Sequence, residues 1–130
     1  MELKGRTISL GKAKGIALVS TMGISFFGGV DPVTGIVVEK GHDLEGKCLT
    51  DKILIFPQGK GSTVGSYTLF RMKKNNVAPK AIINSKCETI VAIGAIISEI
   101  PCVDMIDINC IKNGSVVEVD GDLGIIRIGE

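Results

Sequence analysis

The sequence predicts a β-rich α/β fold, and three observations carry that expectation. Residues 52–105 alternate between short apolar runs and longer mixed runs, in the rhythm strand, helix, strand, helix, strand. The first half is cut into short Val-, Ile- and Phe-rich pieces by glycines, which make up 17 of the 130 residues. The last segment, VVEVDGDLGIIRI, holds two alternating runs around Asp120-Gly121-Asp122, a hairpin signal.

Taken in order, strands are expected at 15–20, 24–27, 35–38 and 52–56, each bounded by Gly, Pro or Asp. A helix is expected over 62–74. Val64, Tyr67, Leu69, Phe70 and Met72 can share a broad face there, and Arg71, Lys73 and Lys74 fall in the last turn, where cations suit the helix dipole. Asn75 and Asn76 stop that pattern, and Pro79 prevents its return. Residues 81–84, AIIN, read as a buried strand. Residues 88–97 fit either state by period, and their length with small Ala92, Gly94 and Ala95 tips them to a buried helix. Pro101 closes it, and 102–105 is a further strand. Alternation of this kind implies parallel strands with right-handed crossovers. No linker, repeat or low-complexity tract interrupts residues 1–130, which read as a single domain.

Composition narrows the function. Basic and acidic residues number 15 and 14, well mixed, with no Trp and one Tyr, so nucleic acid is not an expected partner. The arginines are only three, Arg6, Arg71 and Arg127, few for a chain that grips phosphates or carboxylates alone. The N-terminus lacks the apolar core of a signal peptide, and the run IVAIGAII at 90–97 is far shorter than the ~20 residues a membrane span needs. A cytoplasmic protein without a membrane partner is expected. Cys48, Cys87, Cys102 and Cys110 form no C-x-x-C pair and match no zinc or ferredoxin spacing, so no metal site is expected in this chain. Cys48 and Cys102 adjoin apolar runs and read as buried thiols. His42, the single histidine, sits between Gly41 and Asp43 and reads as an exposed loop residue.

The stretch FPQGKGSTVGSYT, 56–68, concentrates the chemistry. Strand, glycine turn and helix start is the layout of a nucleotide P-loop, but that motif places Lys directly before the hydroxyl residue. Here Gly61 separates Lys60 from Ser62, so a nucleotide cradle is rejected. Main-chain N–H groups at a helix start still favour negative charge, and a serine there sits in a field that stabilises an alkoxide. The bland alternative makes Ser62 an N-cap, worth about 1 kcal/mol, and spacing alone favours it. Thr63, Ser66 and Tyr67 read as first-turn helix residues. In FGGVDPVTG, 27–35, Asp31-Pro32 starts a turn and the glycines allow unusual backbone angles. Asp31 is either part of a connecting turn or an acceptor facing a site.

Together with GGVDPVTG (28–35), GH-x-L-x-G (41–46), KILIFPQGKGSTVGSY (52–67), APKAIIN (78–84) and IVAIGAIISEIPCVD (90–104), these stretches resemble the small subunit of the aconitase X family. The likeness runs from about 23 to 128, and is strongest to the family's archaeal branch acting on phosphomevalonate. The resemblance implies a swivelling β/β/α domain similar to the aconitase swivel domain, detached as its own chain. It implies an aconitase-like large subunit as partner, carrying an iron–sulfur cluster of the [4Fe–4S] type, with no cofactor on this chain. The implied reaction dehydrates (R)-5-phosphomevalonate, a phosphorylated hydroxy acid, to trans-anhydromevalonate 5-phosphate. The family's proton-accepting serine falls on Ser62. Gly29, Asp31, Lys60 and Gly61 are the residues expected to contact substrate or partner. Some relatives carry a serine after the catalytic one, where this chain has Thr63, which keeps a hydroxyl. Two alternatives stand beside this reading: a related dehydratase of cis-3-hydroxyproline, and a non-catalytic module whose glycine loop binds an anion or a partner.

Overall fold

The computed structural model describes residues 1–61 and 63–129. Its strands are β1 (Glu2–Lys4), β2 (Arg6–Ser9), β3 (Lys12–Val19), β4 (Ile53–Phe56), β5 (Ala81–Asn84), β6 (Cys102–Asp104), β7 (Val116–Asp120) and β8 (Ile125–Ile128). Helices α2 (Gly65–Lys74) and α3 (Thr89–Ile97) cross between the parallel strands, and α1 (Phe26–Gly29) is one distorted turn with non-helical angles at Phe27 and Gly28. The strand order is β1-β8-β7-β3-β4-β5-β6-β2.

Strand β3 belongs to two layers. Its first half, Lys12 to Ile16, pairs antiparallel with β7, and its second half, Ala17 to Val19, pairs parallel with β4. From there β4, β5 and β6 run parallel, as the alternating pattern predicts. These strands are buried on both faces, which is why they read as unbroken apolar runs. Alternation then splits them between two cores. Ile53, Ile55, Ala81, Ile83 and Val103 meet Val117, Val119 and Ile126 of the antiparallel layer. Leu54, Phe56, Ile82 and Cys102 point the other way, onto Leu69 and Met72 of α2 and Val91 and Ala95 of α3. The result is a β/β/α stack.

Several expectations change. Strands β1 and β2 come before the first one expected, and β3 begins at Lys12 rather than Gly15. Both early strands are short and charged edges, β1 on β8 and β2 on β6, so they carry little apolar signal. The expected strands at 24–27 and 35–38 reduce to single bridges, Ile24 with Gly59, Val30 with Val37 and Ile36 with Cys48. Some of their apolar residues are nonetheless buried, while Phe27 and Val38 are exposed. Ile24, Phe26, Val30, Val37, Leu44 and Leu49 dip from an irregular segment into the helix-side core, so burial without pairing produced the strand-like pattern. The α2 helix runs from Gly65 with Val64 in the capping position, three residues later than expected, and the expected cap, Ser62, lies outside the described residues. The hairpin at 116–128 stands, with a turn over 121–124.

Candidate active site

The parallel strands β3, β4 and β5 end at one edge, and there the chain gathers its irregular segments. Ligands in sheets of this kind bind beyond the carboxyl ends of the strands. A cleft of about 360 Å³ opens at that edge, lined by Ser20 and Thr21 after β3, Pro57 after β4, Ser85 after β5, and Ile108 and Asn109. The larger cavity, about 550 Å³, lies at the opposite end, where Lys12, Lys14, Lys73 and Lys80 line it with Asp51 and Glu99. It is remote from the glycine loop by the length of a strand, whereas the smaller cleft meets the loop at its first residue, Pro57.

The loop after β4 is fixed from two sides. Ile24 donates to the Gln58 carbonyl (3.3 Å) and accepts from the Lys60 N–H (2.9 Å), a short parallel ladder. On the other side a Cβ at Gly59 would lie 2.6 Å from Glu88 Oε1, so only glycine lets the loop approach the start of α3. Glu88 caps that helix, accepting from Ile90 N–H (3.1 Å) and Val91 N–H (2.7 Å), and so occupies its positive end itself. Gly61 has φ +95°, and a Cβ there would overlap the Ser25 hydroxyl. Both facts require glycine at this position.

The expected site residues fall as follows. Ser62 lies outside the described residues. Lys60 is half-exposed, and its ammonium pairs with Glu39 Oε2 at 2.8 Å. Buried Gly29 stands behind that pair: its carbonyl accepts from Val38 N–H (2.9 Å) and Glu39 N–H (3.3 Å), which anchors the segment carrying Glu39. Asp31 closes its own turn, accepting from Val33 N–H at 2.9 Å on Oδ1 and from Gly35 N–H at 2.8 Å on the main chain. It lines a shallow cleft with Phe27, Val38, Thr68 and Arg71. Gly29, Lys60 and Gly61 thus belong to one packed unit through Glu39 and Ser25, and Asp31 to the neighbouring turn.

Two residues differ from expectation. His42 is buried, its side chain 1% exposed, where an exposed loop residue was expected. Nε2 lies 3.0 Å from the Gly23 carbonyl, which needs a donor. Nδ1 is 3.0 Å from the Leu44 N–H, which needs an acceptor. Asp43 Oδ1 also lies 3.1 Å from Nδ1, a geometry that a charged ring would favour. Because Leu44 already donates there, the network assigns a neutral ring with its proton on Nε2. Asp43 has partners of its own: it accepts from the Ser20 hydroxyl (2.6 Å), the Thr21 N–H (2.9 Å) and the Thr21 hydroxyl (3.2 Å). Partial burial pushes this carboxyl up, but those hydrogen bonds outweigh burial and hold it below the usual aspartate range. Cys48 is exposed, with its thiol against the Thr50 hydroxyl (3.1 Å), because the edge that would bury it is a single bridge.

Two of the three arginines are already paired within the chain. Arg6 is spent on buried Asp104 in a two-bond fork of 3.0 and 2.7 Å, which raises its pKa. Arg127 bonds Glu2 and Glu118. Among the described residues no three His, Cys, Asp or Glu side chains gather as a metal site. Cys102 is buried, and the neighbouring Cys87 thiol together with burial pushes its pKa well up. These residues do not fit an iron–sulfur cluster. No helix among the described residues is long and apolar enough to cross a membrane.

Glu39, Ser25, His42 and Asp43 are the partners that the sequence reading missed.

The comparisons agree with this architecture. The family model for the aconitase X swivel domain matches residues 2–128. A phosphomevalonate dehydratase small subunit of Thermococcus sibiricus is 55% identical over 130 residues, covering 100% of both chains. One from Methanocella arvoryzae is 57% identical over 131 residues, covering 98% of this chain and 99% of the relative. The crystal structure of Thermococcus kodakaraensis aconitase X in its holo-form superposes with a TM-score of 0.98 at 55% identity, covering 100% of this chain and 99% of that one. With the β/β/α stack and the glycine loop at its carboxyl edge, these matches make the chain a member of the aconitase X swivel-domain family.

Proposed function

We propose that this chain is the small subunit of a two-chain hydro-lyase that dehydrates (R)-5-phosphomevalonate to trans-anhydromevalonate 5-phosphate, on the archaeal mevalonate route to isoprenoids. The observation that carries this reading is the end-to-end match, at 55 to 57% identity, to subunits bearing the phosphomevalonate dehydratase name. The cleft at the strand ends and the internally paired Arg6 and Arg127 support a division of labour. The aconitase-like large subunit holds the cluster and most of the substrate's charge, and this chain closes the site. The cluster, on that partner, supplies Lewis-acid chemistry when present.

This chain's own part is a proton acceptor. Ser62 takes the proton from the carbon next to the carboxylate. A serine hydroxyl is a weak base unless donors stabilise the alkoxide, so the loop's placement matters more than its composition. Lys60 serves that placement: its ammonium is held by Glu39 at 2.8 Å, which ties the loop to the 39–43 turn.

The test is reconstitution with the large subunit, run with phosphomevalonate and with cis-3-hydroxyproline. The native pair is expected to dehydrate the first. Ser62→Ala is expected to assemble normally and to lose turnover by about 10³-fold, as for other residues acting as a catalytic unit. Turnover within a few-fold of native would remove the catalytic role.

A further inference from the structure

The GHD stretch at 41–43 has no part in the reaction as stated, yet it holds a buried histidine with both ring nitrogens engaged. Burying a polar ring is unfavourable unless every polar atom is satisfied, so the site is built around it. The path from that ring to the glycine loop is short and continuous. Nε2–H donates to the Gly23 carbonyl at 3.0 Å. The next residue, Ile24, makes both main-chain hydrogen bonds to the loop, at Gln58 and Lys60. The residue after that, Ser25, is the one against which Gly61 packs. Asp43 grips the same segment upstream, at Ser20 and Thr21. Residues 20–23 are therefore pinned at both ends by consecutive side chains of one turn. That turn also carries Glu39, which holds Lys60.

We propose that His42 is a positioning residue: by fixing the Gly23 carbonyl it sets, through Ile24, the place of loop residues 58–61 and hence of Ser62. The claim rests on the reading of Ser62 as proton acceptor, and deepens it. The ring suits the task because it is rigid and offers an acceptor and a donor on opposite sides. Asparagine supplies only the near group, which faces Leu44 N–H. Glutamine supplies only the far one, which faces Gly23.

That difference gives the experiment, done on the enzyme assembled with its large subunit. His42→Asn keeps the local turn and is expected to lower kcat about 10²-fold, the effect of an ångström-scale misplacement, with KM within about twofold. His42→Gln restores the bond to Gly23 and is expected to keep most of the turnover. Amide exchange is read in peptides covering 20–27 and 57–64, against 116–128 as the reference. In His42→Asn it is expected to rise about tenfold in the first two and stay level in the third. Native exchange in both loop peptides would overturn the proposal whatever the activity. Raised exchange with native turnover would overturn its link to catalysis, while Ser62→Ala tests the serine separately. If neither variant folds, nitrogen-15 labelling of the single histidine in the native assembly decides: a ring protonated on Nδ1 instead of Nε2 overturns it.

Discussion

The two faces of the central parallel sheet are built differently. On the sandwich face Ile53, Ile55, Ala81, Ile83 and Val103 meet Val117, Val119 and Ile126 from regular strands, and the cluster is wholly apolar. On the other face Leu54, Phe56, Ile82 and Cys102 meet two helices and the irregular segment 24–49. Phe26 stands edge-on to Phe56 there, ring centres 6.0 Å apart at 71°. Around that core a polar frame of Ser20, Glu39, His42 and Asp43 holds the chain that carries the glycine loop. One face supplies cohesion, and the other spends its side chains on placing a loop.

The contrast breaks most clearly through stability. Ile55→Ala on the sandwich face should cost about 2–5 kcal/mol, since a fully buried aliphatic leaves a cavity between two sheets. The folded fraction should keep native turnover, as chemical denaturation and assays below the midpoint would show. Gly61→Ala should do the reverse. Its left-handed backbone costs about 1–2 kcal/mol, and the Ser25 overlap moves the loop, so turnover should fall far more than stability. Equal losses of turnover in both variants would dissolve the distinction.

A pH series sharpens the polar frame. The folded pKa of Asp43 is depressed, so its contribution is fully present above the unfolded value and is lost as pH falls through the folded one. Melting temperature should therefore drop more steeply below about pH 4 in the native chain than in Asp43→Asn. The smallest effect belongs to the Lys60–Glu39 pair, whose partners are partly exposed. A double-mutant cycle of Lys60→Met with Glu39→Gln should give a coupling of less than about 1 kcal/mol.

The same division explains what the sequence made legible. The strands and helices from Ile53 to Asp104 announce themselves because parallel strands buried on both faces must be continuously apolar. Ile24, Phe26 and Val37 were misread as strand residues because burial, not pairing, selected them. The helix start was placed three residues early because the small hydroxyl residues after Gly61 resemble a cap, whereas α2 begins at Gly65. Gly61 was expected as a contact to substrate or partner, and its positive φ and the nearby Ser25 give a separate, conformational reason for glycine there. Glu39 and His42 were passed over because their partners, Lys60 and Gly23, lie 21 and 19 residues away, beyond any local pattern.

Residues Met1 and Ile128 exchange main-chain hydrogen bonds of 2.8 and 3.2 Å at the β1–β8 edge. Both ends of the folded body therefore sit at a single point on its rim. A linker of a few residues could join them without disturbing the stack. For a domain named for swivelling, such an arrangement has a mechanical meaning. A pull applied at residue 1 or at residue 128 bears on the same point of the rim, against the hydrogen bonds that join β1 to β8.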